Sequence, residues 1–181
     1  VLGLQVTLWM LSGLMMGLLE HERVLGHHNQ AHNIAANLNS GESAFAAVAS
    51  VVSALPTDAA ITKVRLQNLV GRAVYRVATS SDIRMFDALT GAEIDIDASV
   101  ARAVATNDYA GPGEISAITE VQAPSMEVRR HKGRVWRVDF DDTDETSIYV
   151  SGHDGSVLER RNSTWRLFDI FWMLHIMDYQ N

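Results

Sequence analysis

Three histidines stand close together in the stretch HHNQAH: His27, His28 and His32. On a helix, His28 and His32 would lie one turn apart on one face, a spacing that can hold a divalent metal if further ligands arrive. No cysteine and no Glu-x-x-His pattern completes such a site, and a solvated linker is the competing reading. Asp139, Asp141, Asp142, Asp144 and Glu145 form an acidic run whose oxygens could bind calcium. The run lacks the glycine and ligand spacing of an EF-hand loop, so a polar hairpin tip is the simpler account. His175 is the sharpest single candidate, because an imidazole inside an apolar helix can ligate haem or a metal. No second axial ligand is identifiable. The expected cofactor is therefore none, with haem or a divalent metal as the alternative.

Other chemistry finds little support. There is no Gly-x-Ser-x-Gly elbow and no Gly-rich phosphate loop, so no nucleophile or nucleotide site is expected. The absence of cysteine removes thiol chemistry and thiolate metal sites. A formal charge of −7 argues against a nucleic-acid partner, which needs a basic face. The residues thus predict a protein that is not an enzyme.

The elements that must position these groups begin with an apolar run. Residues 1–19, VLGLQVTLWMLSGLMMGLL, carry no charge, and Gln5, Thr7 and Ser12 are their only polar side chains. That pattern predicts a transmembrane helix, shortened at its start, since a span needs about twenty apolar residues. A buried core helix and a signal segment are the alternatives. Gly13 and Gly17 form a Gly-x-x-x-Gly pair, which lets a second helix approach closely. Residues 20–40 are polar and rich in His and Asn, and read as a linker.

Two similar units follow, 41–96 and 97–162. In the first, apolar residues at Phe45, Val48, Ala49, Val52 and Leu55 show helical spacing, which Pro56 stops. AITKVRLQ, AVYRVAT, DIRMFDA and LTGAEI then read as strands and a Gly turn. In the second, Asp97 is placed to cap the helix ASVARAVATNDY, and EISAITEVQA, RVWRVDFD, TSIYVSG and HDGSVLERR repeat the strand series. Val74-Tyr75-Arg76-Val77 aligns with Val135-Trp136-Arg137-Val138, and Gly91 with Gly155. The extra length of the second copy falls in DDTDET. A small sheet with one apolar face cannot stand alone, so each copy should be an α+β unit, a helix packed on an antiparallel sheet. Arg76 and Arg137 recur at equivalent positions, which favours a structural role.

The chain closes with WRLFDIFWMLHIMDY. At about 100° per residue, Trp165, Phe168, Trp172 and Tyr179 share one arc, flanked by Asp169 and His175. The opposite face is also apolar. Residues 163–181 are therefore expected to form a juxtamembrane helix, with Arg160, Arg161 and Arg166 meeting lipid headgroups.

Together the helix GLQVTLWMLSGL, the paired VYRV…DALTGAEI and VWRV…DGSV units and the terminal WRLFDIFWMLHIMDY resemble the PepSY domain proteins with PepSY-associated transmembrane helices. The resemblance covers nearly the whole chain, and the LHIMDY block is its most specific part. It implies two tandem PepSY units on the extracytoplasmic side of a bacterial cytoplasmic membrane. The expected function is a membrane-anchored, non-catalytic interaction or regulatory module. Its partners would be membrane lipid and another membrane or extracytoplasmic protein. Two alternatives come with the family: an accessory subunit in electron transfer or iron and haem handling, and a protease-inhibiting module. In that pattern a second membrane span follows the MDY block. The chain, which begins at Val1 and stops at Asn181, reads as a piece of a longer one.

Overall fold

The computed structural model describes residues 2–32, 45–56 and 58–176. Its two repeats each fold as a meander of four antiparallel strands. The first sheet has the order β1 (Ile61–Leu69), β2 (Arg72–Thr79), β3 (Ile83–Asp87), β4 (Glu93–Ile94). The second has the order β5 (Ile115–Ala123), β6 (Gly133–Phe140), β7 (Ser147–Ser151), β8 (Val157–Arg161). The sheets are separate, so the repeats do not share a continuous ladder. The turns of the two copies match: Gly91 and Gly155 both adopt left-handed φ, +73° and +68°, where a β-carbon would be strained. The insertion DDTDET lies between β6 and β7, where the first copy has only residues 80–82.

Among the described residues, five α-helices run α1 (Leu2–Leu18), α2 (His21–Val24), α3 (Val48–Ser53), α4 (Ala98–Asp108) and α5 (Ser163–Ile176). The first-copy helix spans only six residues, shorter than its apolar spacing over 42–55 suggests; residues 42–44 lie outside the described segments. It still covers its sheet, packing Val51 and Leu55 onto Tyr75, Val77 and Phe86. In the second copy α4 packs Ala101, Val104 and Ala105 onto Val138, Phe140, Ile148 and Val150. Asp97 caps α4 as its sequence position predicts, accepting from the amides of Ser99 and Val100, each at 2.9 Å.

The two copies differ in what covers the other face of each sheet. Strand alternation turns Val74 and Met85 away from α3, and they pack with Ile96 at the end of the first copy and with Val100 and Trp136 of the second. Arg76, on that same face, donates to Asp154 at 3.0 Å, and Trp136 Nε1 donates to the Ile96 carbonyl at 2.6 Å. In the second sheet the equivalent face carries Val135 and Tyr149, which pack with Val128 from the 3₁₀ turn Met126–Val128. The rest of that face is polar, and Ser147 on it is reached by the Arg166 side chain of the last helix.

α1 and α5 pack together as an antiparallel hairpin. Asn162, just before α5, donates to the carbonyl of Arg23 in α2, the short helix that follows α1, at 2.7 Å. Near the other end, His175 Nδ1 lies 3.1 Å from the Trp9 carbonyl. The described residues do not support the expected transmembrane helix over 1–19. Among the described residues no helix is long and apolar enough to cross a membrane. At about 1.5 Å rise per residue, the 17 residues of α1 fall short of a hydrocarbon core roughly 30 Å thick.

Candidate functional site

The chemistry-bearing residues converge where α5 leaves the second sheet. Asn162 anchors this junction from both sides of its amide. Its Oδ1 accepts from the Trp165 amide at 2.7 Å, closing the first turn of α5, while its Nδ2 holds the Arg23 carbonyl. It is fully buried, so both bonds are made away from water.

One turn into α5, Arg166 reaches back over the sheet. Its Nε donates to Glu127 Oε1 at 2.9 Å and its Nη2 to the Ser147 hydroxyl at 2.9 Å. Tyr149 donates to Glu127 Oε2 at 2.7 Å. Ser147 in turn donates to Asp139 at 2.6 Å, and Arg137 Nε donates to the same Asp139 oxygen at 2.7 Å. A single polar network therefore ties β6, β7, the 126–128 turn and α5 together. Burial pushes the Glu127 carboxyl up, but the bonds from Arg166 and Tyr149 outweigh it and hold it below the ordinary glutamate range. Burial and the Glu127 carboxylate push the Tyr149 phenol up, so it stays a donor.

Beside this network a cavity of about 340 Å³ opens between residues 129–130, β8 and α5. Arg129 Nη2 donates to the buried Asp169 of α5 at 2.7 Å. The Arg161 guanidinium lies 4.0 Å from the centroid of the Trp165 ring, a cation–π contact. Phe168 and Trp172 stack at 6.3 Å along the cavity wall. The aromatic arc predicted for α5 is thus real over Trp165, Phe168 and Trp172; Tyr179 lies outside the described residues.

The predicted metal and cofactor residues are scattered. Residues 27–29 form a single 3₁₀ turn and Gln30 is extended, so His28 and His32 do not share a helix face. His28 Nε2 lies 2.8 Å from Asp144, and His27 pairs with Glu22 at 3.3 Å. Among the described residues no group of three or more His, Cys, Asp or Glu side chains converges as metal ligands would. The acidic run is spent locally. Asp141 accepts from the Glu114 amide, Asp142 from the Tyr109 hydroxyl and the Thr146 amide, and Asp144 holds His28.

His175 sits in the helical hairpin. Its ring stacks on Trp9 with centroids 4.9 Å apart, and its Nδ1 lies 3.2 Å from the buried Ser12 hydroxyl as well as 3.1 Å from the Trp9 carbonyl. The imidazole is a clamp between the two helices.

The arginines expected to meet lipid are otherwise engaged. Arg160 forms a bidentate pair with Asp108, Arg166 is held by Glu127, and Arg161 pairs with Glu159 at 2.9 Å. Arg76 and Arg137 are ion-paired with Asp154 and Asp139, in keeping with a structural role. Sequence reasoning missed Asn162, Glu127, Arg129 and Arg130. An Asn directly before an apolar-periodic run is a capping signal and would have found Asn162. Nothing local distinguishes the other three: the partners of Glu127 and Arg129 on α5 are distant in sequence, and Arg130 is an exposed arginine like others in the chain.

No family model, curated protein or solved structure matches the chain.

Proposed function

We propose that this protein is a membrane-seated, non-catalytic interaction or regulatory module of the PepSY type. Its paired sheets would stand on the extracytoplasmic side of a bacterial cytoplasmic membrane and its α1–α5 hairpin would lie in lipid. The observation that carries the reading is what the hairpin leaves outside. After α1 and α5 have packed together, Leu4, Met10 and Leu18 remain 78%, 63% and 70% exposed, and Ile170 and Ile176 are exposed on α5. An apolar surface of this extent needs a cover, and α1 carries no charge on any face. A helix polar on one side would instead suit the surface of a water-soluble domain. Trp9 and Trp172, both exposed, are side chains that favour the boundary between lipid and water.

Expressed in a bacterial membrane background and washed with alkaline carbonate, the protein should stay in the pellet. Release into the supernatant would reject the reading.

One observation supports the alternative of electron transfer or haem handling. With Nδ1 of His175 turned to the Trp9 carbonyl, Nε2 is the nitrogen an iron would need, the usual outer-shell arrangement of a ligating imidazole. An absorption spectrum of the protein purified from membranes tests it. A Soret band lost in His175→Ala supports haem, and no band ends that reading.

A further inference from the structure

We infer that the cavity at the foot of the hairpin binds the headgroup of an anionic phospholipid, the phosphate on Arg130 and an acyl chain along Phe168 and Trp172. The inference rests on the membrane-seated reading and adds a specific lipid contact to it.

The charges come first. Three arginines line the cavity, Arg129, Arg130 and Arg161, against two carboxylates, Glu159 and Asp169. Both carboxylates are already spent. Asp169 accepts from Arg129 at 2.7 Å, and Glu159 accepts from Arg161 and from His131 Nε2, each at 2.9 Å. Arg130 is exposed and carries no ion pair among the described residues. The cavity therefore has one uncompensated guanidinium in a chain whose formal charge is −7. A guanidinium fork matches a phosphate geometrically and electrostatically.

The apolar wall then selects the kind of anion. Leu25, Trp165, Phe168 and Trp172 form the rest of the lining, and the last two continue along α5 into the exposed face of the hairpin. A free inorganic anion would gain nothing from that wall. An anion joined to a hydrocarbon chain would cover it, and the cavity's position at the root of the apolar helices is where a headgroup would lie.

The test uses the purified protein and two vesicle populations, phosphatidylcholine alone and phosphatidylcholine mixed with phosphatidylglycerol, read by flotation at fixed ionic strength. The phosphatidylglycerol vesicles should be bound more tightly, by about fivefold for one well-placed arginine. Arg130→Gln should abolish that gain, while Arg130→Lys should keep part of it. Arg102→Gln, which removes an exposed arginine on α4, should keep the gain whole. If it loses as much as Arg130→Gln, the effect is net charge and the site is overturned. Binding to both vesicles without a phosphatidylglycerol gain also overturns the site but leaves the membrane reading standing. Binding to neither overturns both. A change in tryptophan fluorescence on adding inorganic phosphate without vesicles, lost in Arg130→Gln, would assign the cavity to a soluble anion and overturn the lipid.

Discussion

Gly13 of α1 lies directly against the imidazole of His175 on α5: a β-carbon at Gly13 would sit 3.0 Å from Cε1 and 3.3 Å from Nδ1. The missing side chain is what lets the ring drop onto the helix and reach the Trp9 carbonyl. Gly17, one turn on, has nothing within 4 Å of its position. The Gly-x-x-x-Gly pair thus contains one residue needed for close approach and one that is not. Gly13→Leu should force the ring out and destabilise the hairpin by about 1–3 kcal/mol. Gly17→Ala should be neutral or stabilise by up to about 1 kcal/mol, since alanine is the better helix former. Thermal denaturation of the two variants in the same detergent checks the contrast, and equal losses would refute it.

Asn162 holds the hairpin to the sheets. Asn162→Ala removes the cap of α5 and takes the side-chain donor from the Arg23 carbonyl, leaving it only the Gly26 amide, which should cost about 1–3 kcal/mol. Asn162→Asp keeps the acceptor for the Trp165 amide but sets a carboxylate against the Arg23 carbonyl. It should rescue the helix but not the junction. Hydrogen exchange separates the two effects, because the Trp165 amide should stay protected in the aspartate variant and lose protection in the alanine variant.

The repeat was legible because its signals are local. Alternating strands, Gly turns at Gly91 and Gly155 and the Asp97 cap each depend on neighbours a few residues away, and each appears where the spacing puts it. The junction was not legible, for the opposite reason. Glu127 is recognisable only beside Arg166, and Arg129 only beside Asp169, pairs separated by 39 and 40 positions. His175 shows the same limit. Its polarity within an apolar run was plain, but its contacts with Ser12 and the Trp9 backbone, at the far end of the chain, were not. Which face of each sheet would be covered, and by what, was likewise hidden, because Val74 and Val135 are the same residue type at equivalent positions with different covers.

The Glu127–Arg166 pair should make the junction sensitive to acid. The folded protein holds the Glu127 carboxyl below its ordinary value of 4.5. A carboxyl lowered in the folded state stabilises it fully above the ordinary range, and that stabilisation is lost as the pH falls through the lowered value. Glu127→Gln should therefore be destabilised at pH 7 and lose part of the acid dependence of the parent. Arg166→Met should be the more damaging change, by about 3 kcal/mol, because it leaves a partly buried carboxylate without its cation. Urea denaturation followed by tryptophan fluorescence at pH 7 and pH 4 measures both. An Arg166→Met variant as stable as the parent would show that the network does not hold α5.

The matching turns of the two repeats are closed by different chemistry, and acid should tell them apart. In the first, Asp87 Oδ1 accepts from the Thr90 amide at 2.7 Å and the Leu89 amide at 2.9 Å, and Oδ2 accepts from Arg72 at 2.6 Å. In the second, the Ser151 hydroxyl takes the same place, 3.2 Å from the His153 amide and 3.3 Å from that of Asp154. The Thr90 amide is the main cause holding the Asp87 carboxyl down to about 2; burial opposes it, and Arg72 and Leu89 add to it. Because the folded value lies below the ordinary 3.8, the stabilisation is fully present above that pH and disappears as the pH falls through about 2. Asp87→Ser, which copies the second turn into the first, should be less stable than the parent by about 1–3 kcal/mol at pH 7, the worth of bonds to a charged acceptor. The deficit should shrink between pH 4 and pH 2 as the parent's carboxylate is protonated. Denaturation midpoints of the two proteins across that range check it, and a deficit that stays constant down to pH 2 would show that the carboxylate charge contributes nothing to the turn.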